Sequence, residues 1–307
     1  MIELRNLSNT WGDFDLQDVS LKADRGQYFV ILGPCGSGKT LLLEAIAGLH
    51  QMAQGRVLVD GNDITDLPPE KRQIGLVYQQ YALFPHLSVR ENIAYGLAYR
   101  KGVSNEEKKR RVGKMLELLD IEYLADRKRP TGLSGGEAQK VALGRALAIE
   151  PDVLLLDEPM SSLDQRARAA IVTILKNLTR ELNVPVIHVT HDYTEAATLA
   201  DRVMILNRGC EAQTGTVEEV FWRPKNRFVA DFLGVENVFD GKWTTADNGD
   251  SVFRTADVAL ALPGAEHTGG GAVCIRPEDV RLKTTDSERP NTVRGTVREV
   301  LDQGFTV

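Results

Sequence analysis

Gly33-Pro34-Cys35-Gly36-Ser37-Gly38-Lys39-Thr40 decides how this chain is read. It follows the apolar run Tyr28-Phe29-Val30-Ile31-Leu32 and leads into Leu41-Leu42-Leu43-Glu44-Ala45-Ile46-Ala47, so the local order is strand, glycine-rich turn, helix. Glycines let successive backbone N–H groups curl toward one point, and the helix that follows presents its positive end to that same point. Phosphate oxygens fit there. Lys39 is then placed to reach the β- and γ-phosphates of a nucleotide, and the Thr40 hydroxyl to bind Mg²⁺. A turn that only joins strand to helix requires neither the Lys-Thr pair nor glycines at these offsets.

The stretch is therefore read as a P-loop, with Gly33, Pro34, Cys35, Gly36, Ser37, Gly38, Lys39 and Thr40 as candidate ATP-binding residues. A second element supports it. Val153-Leu154-Leu155-Leu156-Asp157-Glu158-Pro159 delivers adjacent carboxylates to the C-terminal edge of an apolar strand, where α/β sheets bind ligands. Asp157 is placed to hold Mg²⁺ through water, and Glu158 to orient or deprotonate an attacking water. An Asp-Glu pair after a strand is ordinarily a polar turn; beside a P-loop it becomes a Walker B motif. Many nucleotide hydrolases share both, so these motifs leave the class of machine open.

Composition narrows the choice. At 307 residues the chain is long enough for a sizeable core plus a smaller unit. With 42% hydrophobic and 26% charged residues it reads as globular. A net charge of -6 offers no basic field, which argues against nucleic acid as a partner. Cys35, Cys210 and Cys274 are widely spaced, suggesting neither disulfides nor a zinc site and fitting a reducing compartment. Met1-Ile2-Glu3-Leu4-Arg5-Asn6 lacks the plan of a signal peptide, and no apolar run approaches the ~20 residues that cross a bilayer. Any membrane role is expected to come through a partner.

The discriminating stretch is Leu133-Ser134-Gly135-Gly136-Glu137, which opens the helix Ala138-Gln139-Lys140-Val141-Ala142-Leu143-Gly144-Arg145. Ser134 and the free N–H groups of Gly135 and Gly136 make a second anion site at a helix N-terminus. Ser134 with Glu137 also reads as a capping box, which leaves the paired glycines unexplained. Here the chain resembles the ABC-transporter ATPase family, whose signature reads LSGGQ; Glu137 departs from the usual Gln. The resemblance implies a head-to-tail homodimer in which Ser134, Gly135, Gly136 and Glu137 face ATP held by the opposite subunit. Further matches follow in family order. Gln79 resembles the Q-loop glutamine that approaches Mg²⁺ and the attacking water. Asp164, in Ser161-Ser162-Leu163-Asp164, resembles the D-loop. His191 resembles the switch histidine at the γ-phosphate, with His188 read as a packed core residue. Trp11 resembles the aromatic that stacks on adenine.

Strand-length apolar runs at residues 28–32, 74–78, 153–156, 186–189 and 203–206, with helical patterns between, predict a mostly parallel covered sheet. Val112, Met115, Leu116 and Leu119 form the apolar stripe of a packed helix. The expected architecture is an α/β P-loop NTPase domain of the ABC ATPase type over residues 1–235, with a helical subdomain at about 85–150. A small β-barrel-like domain of OB/TOBE type is expected over 236–307. It reads as incomplete, because Phe305-Thr306-Val307 falls inside a strand-like pattern.

Tyr81 through Phe84, Pro85 and His86 resembles the stretch of prokaryotic importers that receives a coupling helix from integral-membrane permease subunits. Tyr81 and Phe84 serve equally as groove lining or as packing between subdomains. The tail resembles that of sugar, polyamine, iron and oxyanion importer ATPases, where it supports dimerisation and can take a regulatory anion. The N-terminal half is most similar to molybdate/tungstate importers. The resemblance thus implies an ATPase at the cytoplasmic face of the membrane, linked indirectly to a solute-binding protein, with ATP and Mg²⁺ as ligands. The alternatives are an importer ATPase for sulfate, iron, polyamine or sugar, a soluble non-transport ABC ATPase, and a regulatory sensor built on the cassette.

Overall fold

The apolar runs at 28–32, 74–78, 153–156, 186–189 and 203–206 lack alternation because both faces are covered, and in the computed structural model they form adjacent parallel strands. The structure describes residues 1–100, 102–245, 251–256, 258–262, 269–275, 280 and 291–292, which divide into two compact units between Val229 and Ala230.

In chain order the first unit runs β1 (Ile2–Trp11), β2 (Phe14–Ala23), β3 (Tyr28–Leu32), α1 (Lys39–Ala47), β4 (Gln54–Val59), β5 (Asn62–Asp63), β6 (Ile74–Val77) and α2 (Val89–Ala98). It continues α3 (Asn105–Leu118), α4 (Gly135–Ala148), β7 (Val153–Asp157), α5 (Gln165–Leu182), β8 (Val186–Thr190) and α6 (Tyr193–Leu199). Then come β9 (Arg202–Asn207), β10 (Cys210–Thr216), α7 (Val217–Trp222) and α8 (Arg227–Phe232), the last spanning the division between units. The ten-stranded sheet has the order β5-β4-β1-β2-β10-β9-β3-β8-β7-β6. Strands β9, β3, β8, β7 and β6 are mutually parallel.

The other half of the sheet differs from the mostly parallel expectation. β1 pairs antiparallel with both β2 and β4, and β10 antiparallel with β9. For β1–β2 and β9–β10 the cause lies in the chain connections, since hairpins join neighbours antiparallel while parallel neighbours need a crossover; β4 adds to β1 after β2, β3 and α1. The apolar alternation in β1 and β2 is also broken. Asn6 and Asp18 both take the left-handed backbone region, with φ of 50° and 51°, and Asn6 donates to Asp18 across the pair. Leu4 and Leu7, then Leu16 and Val19, still face one core with Phe29, Ile31, Leu43 and Leu155.

Helices α2, α3 and α4 pack on one another, and Val112, Met115, Leu116 and Leu119 are all buried. Asn92 is fully buried on α2; its Oδ1 accepts from Phe84 N at 2.8 Å and its Nδ2 donates to Phe84 O at 3.1 Å, which fixes the loop entering the helix.

In the second unit β11 (Asn237–Thr245), β12 (Ser251–Arg254), β13 (Ala259–Leu262) and β14 (Gly269–Ile275) form a four-stranded antiparallel sheet of order β13-β12-β11-β14. Phe253 is its buried centre, edge-on to Trp243 with ring centroids 5.1 Å apart. The strands expected after residue 275 lie outside the described residues, apart from Val280, Asn291 and Thr292.

Arg72 anchors the far end of α1. Only 4% exposed, it donates to Ala45 O at 3.1 Å, Ile46 O at 2.8 Å and Leu67 O at 2.8 Å, and also to Thr65 O. The Ala45 and Ile46 carbonyls belong to the last turn of α1, where a helix leaves acceptors over, and those of Leu67 and Thr65 belong to the segment after β5, so one guanidinium ties the two together. Arg72→Ala should therefore cost about 2–4 kcal/mol. Urea unfolding should show a lower midpoint at unchanged slope, and Arg72→Lys should restore less than half of the loss, because one ammonium cannot span the same carbonyls. A midpoint equal to that of the parent chain would refute this account of α1.

Candidate nucleotide site

The loop from Gly33 to Gly38 turns sharply because glycines occupy the positions that a Cβ would close. A Cβ on Gly33 would lie 2.3 Å from Leu206 O, and one on Gly38 would lie 2.3 Å from the Phe14 ring. Gly36 and Gly38 take φ of 76° and 97°, a region that favours glycine. Gly38 caps α1 without any side-chain hydrogen bond, so the first-turn N–H groups remain available to a ligand. Ser37 Oγ is buried with no hydrogen-bond partner among the described residues, and faces this loop. Pro34 and Cys35 form its outer rim, Cys35 being exposed.

Lys39 is 6% exposed and donates to Gly33 O at 2.9 Å and Pro34 O at 3.0 Å, closing the loop around its own ammonium. Burial pulls its pKa below the ordinary value, while Glu158, Cys35 and Asp157 oppose that shift.

Two sets of polar contacts, carried by the neighbours Asp157 and Glu158, gather the residues singled out in the sequence. Thr40 Oγ1 donates to Asp157 Oδ1 at 3.1 Å. Burial raises the Asp157 carboxyl above its ordinary value, helped by the charges of Glu158 and Glu44 and opposed by Thr40 and Lys39. Glu158 sits just beyond β7 with a left-handed φ of 42°, and its N–H donates to Val189 O at 2.9 Å. That turn points its carboxylate away from the sheet's interior. Its Oε1 pairs with His191 Nδ1 at 3.0 Å, and Gln79 Nε2 donates to its Oε2 at 3.3 Å. Gln79 also donates to Ser161 Oγ at 3.3 Å. The arrangement holds one carboxylate between an imidazole and an amide, as needed to orient a water for attack. His188, by contrast, is fully buried against Tyr28, whose hydroxyl lies 3.0 Å from its Nδ1.

Ser134, Gly135, Gly136 and Glu137 lie elsewhere. Among the described residues no hydrogen bond joins them to the P-loop. Ser134 caps α4, and a Cβ on Gly136 would lie 3.2 Å from Ala167 at the start of α5. Asp164 caps α5, its Oδ1 accepting from Ala167 N at 2.9 Å. Trp11 is half-buried, edge-on to His50 at 5.4 Å, and pairs across the β1–β2 turn with Phe14.

Several contributors escaped the sequence reading. Phe14 rests on Gly38; its pairing with Trp11 across Gly12-Asp13 was the available signal. Arg145 donates to Tyr81 O at 2.9 Å and Ala82 O at 2.6 Å and lies over the Phe84 ring at 5.3 Å. Nothing local in the sequence marks that contact. Tyr81 is itself half-buried, sharing a 2.7 Å hydrogen bond with Ser162, at a cleft of about 700 Å³ also lined by Gln79, Leu83, Pro130 and Ala138.

Comparison with known proteins identifies the family. The ABC transporter family profile matches residues 16–161. A molybdate/tungstate import ATP-binding protein, WtpC, of Thermococcus kodakarensis is 44% identical over 96% of this chain and 87% of its own length. A spermidine/putrescine import ATP-binding protein, PotA, of Mannheimia succiniciproducens is 40% identical over 100% of the chain and 83% of its own. Among solved structures, the dimeric post-hydrolysis state of the ATP-binding cassette MJ0796 bound to ADP and Pi superposes with a TM-score of 0.62 at 33% identity, covering 71% of this chain and 99% of that one. With its phosphate loop, paired carboxylates and signature stretch carried on that fold, and with such relatives along nearly its whole length, the chain belongs to the ABC transporter ATP-binding protein family.

Proposed function

We propose that this chain is the ATP-hydrolysing subunit of an importer, working as a head-to-tail homodimer on the cytoplasmic face of the membrane through integral permease subunits. The observation that carries the reading is the gathering at one sheet edge of the Thr40–Asp157 pair and the Glu158, Gln79 and His191 set, with no hydrogen bond among the described residues joining the signature residues to the P-loop. A single copy then holds the reacting groups for one nucleotide and the closing surface for another.

In this assignment Gly33, Pro34, Cys35, Gly36, Ser37 and Gly38 surround the phosphates, Lys39 meets the β/γ oxygens, and Trp11 stacks on adenine. Glu158 accepts the proton of the attacking water, Gln79 and His191 orient that carboxylate and the γ-phosphate, and Ser134, Gly135, Gly136, Glu137 and Asp164 act across the dimer. Mg²⁺ suits the donors present. Thr40 and Asp157 offer hard oxygens 3.1 Å apart, and Asp157 is buried among the Glu158 and Glu44 charges. Gln79 completes the proposed ligand set. When bound, the cation neutralises charge developing on the transferred phosphoryl group.

Residues 1–235 serve as the cassette and 236–307 as a small β domain of OB/TOBE type that takes a regulatory anion. The cleft beside Tyr81 receives the permease's coupling helix. The WtpC relatives favour molybdate or tungstate, delivered by a solute-binding protein. The PotA relatives support a second reading, a polyamine importer.

Glu158→Gln should slow ATP turnover by about 100-fold or more and cause ATP-bound dimers to accumulate in sedimentation. Turnover at the parent rate would remove Glu158 from its role. Ser134→Arg and Lys39→Ala chains should each be inactive alone yet regain hydrolysis when mixed, since one intact shared site is rebuilt; no recovery on mixing would sink the head-to-tail arrangement. In the reconstituted complex, ATPase stimulation by molybdate or tungstate with the binding protein is expected, and stimulation by spermidine instead would select the second reading.

A further inference from the structure

Glu137 stands where the family signature has glutamine, and its carboxylate is already engaged. Ser134 N donates to Glu137 Oε2 at 2.8 Å, Ser134 Oγ donates to the same oxygen at 2.9 Å, and Glu137 N returns a 3.3 Å bond to Ser134 Oγ. The second oxygen, Oε1, accepts from Tyr123 OH at 3.1 Å. The backbone N–H of Ser134 chiefly, with Tyr123 and Arg127 adding, keeps this carboxyl below its ordinary pKa, so it is charged.

Ending a helix does not require Tyr123. The boxes at Ser88–Glu91 and Thr216–Glu219 close by the same reciprocal bonds, and no tyrosine holds either carboxylate among the described hydrogen bonds. Nor is Tyr123 packed for its bulk, being 70% exposed. Ser134 has a single hydroxyl proton, and Glu137 holds it. A phosphate arriving at this helix end needs that proton and meets a like charge beside it.

We propose that Glu137 is a built-in rival of the incoming phosphate, holding the Ser134 hydroxyl until a nucleotide on a second copy of this chain displaces it. Tyr123, with Arg127 nearby, receives the displaced carboxylate. Both are positioning residues, acting through Ser134. The inference rests on the reading of Ser134 as a ligand of the partner's nucleotide.

The test uses full-length chains carrying Glu158→Gln, with dimerisation followed by sedimentation as ATP is added at fixed salt. Glu137→Gln keeps an oxygen for the cap but removes the charge, so the ATP midpoint should fall about three- to tenfold. Tyr123→Phe removes the receiving group, so the midpoint should rise, by about two- to fivefold. The advantage of Glu137→Gln should shrink at about 0.5 M salt, where interactions between exposed charges are strongly screened. Thermal unfolding without nucleotide separates this from a structural role: Glu137→Gln should lower stability slightly while tightening the dimer, whereas a cap alone would weaken both. A midpoint unchanged or raised by Glu137→Gln, or lowered by Tyr123→Phe, overturns the proposal. Failure of the Glu158→Gln chain itself to dimerise with ATP would instead overturn the shared-site reading beneath it.

Discussion

The site depends on three parallel strands that end together. In the ladders joining β3, β8 and β7, Leu32 pairs with Thr190 and Asp157 with Val189, so the P-loop, the paired carboxylates and His191 all leave the sheet at one edge. Thr40 and Asp157, 117 residues apart, meet at 3.1 Å for that reason. A one-residue slip of β7 would turn its side chains to the opposite face and remove Asp157 from Thr40. The continuous burial of these strands is what holds the register, since both faces lie in a core shared with α1 and the antiparallel strands.

The charges gathered at that edge do not balance. Lys39 brings one ammonium, buried and already bonded to two loop carbonyls, against Asp157, Glu158 and the nearby Glu44. Desolvation disfavours both the ammonium and the Asp157 carboxylate in their charged forms. In the proposed assignment nucleotide phosphates would relieve Lys39 and a divalent cation would relieve Asp157, so each ligand would improve the environment of the other. Binding of the pair together is therefore favoured over binding of either alone.

How much of this the sequence disclosed depended on range. The P-loop and the Asp157-Glu158 pair were legible because strand, turn and helix signals for each lie within a dozen or so contiguous residues. The parallel strands were legible as unbroken apolar runs. Strands β1 and β2 were not, because left-handed Asn6 and Asp18 interrupt their alternation, and each break makes sense only against the other. Phe14 on Gly38, Arg145 on the Tyr81 and Ala82 carbonyls, and Asn92 around Phe84 are tertiary contacts with no local period. His191 was found through its motif neighbours; its pairing with Glu158 needed the register of β7 and β8.

The two helix ends assigned to anions, those of α1 and α4, are prepared unequally. At α1 the cap is a glycine without a side-chain bond, and the first-turn N–H groups meet a phosphate without competition. At α4 the Ser134 N–H and hydroxyl are already taken by the Glu137 carboxylate. In the proposed dimer a nucleotide would therefore settle first on the P-loop, and the second contact would form only with an anion able to displace Glu137. A terminal phosphate carries more charge and more acceptor oxygens than a single carboxylate, so it can compete for the Ser134 proton. A diphosphate on the P-loop lacks the group that would reach this helix. Under this proposal the departure from glutamine at Glu137 acts as a threshold that only a nucleotide carrying a γ-phosphate can cross.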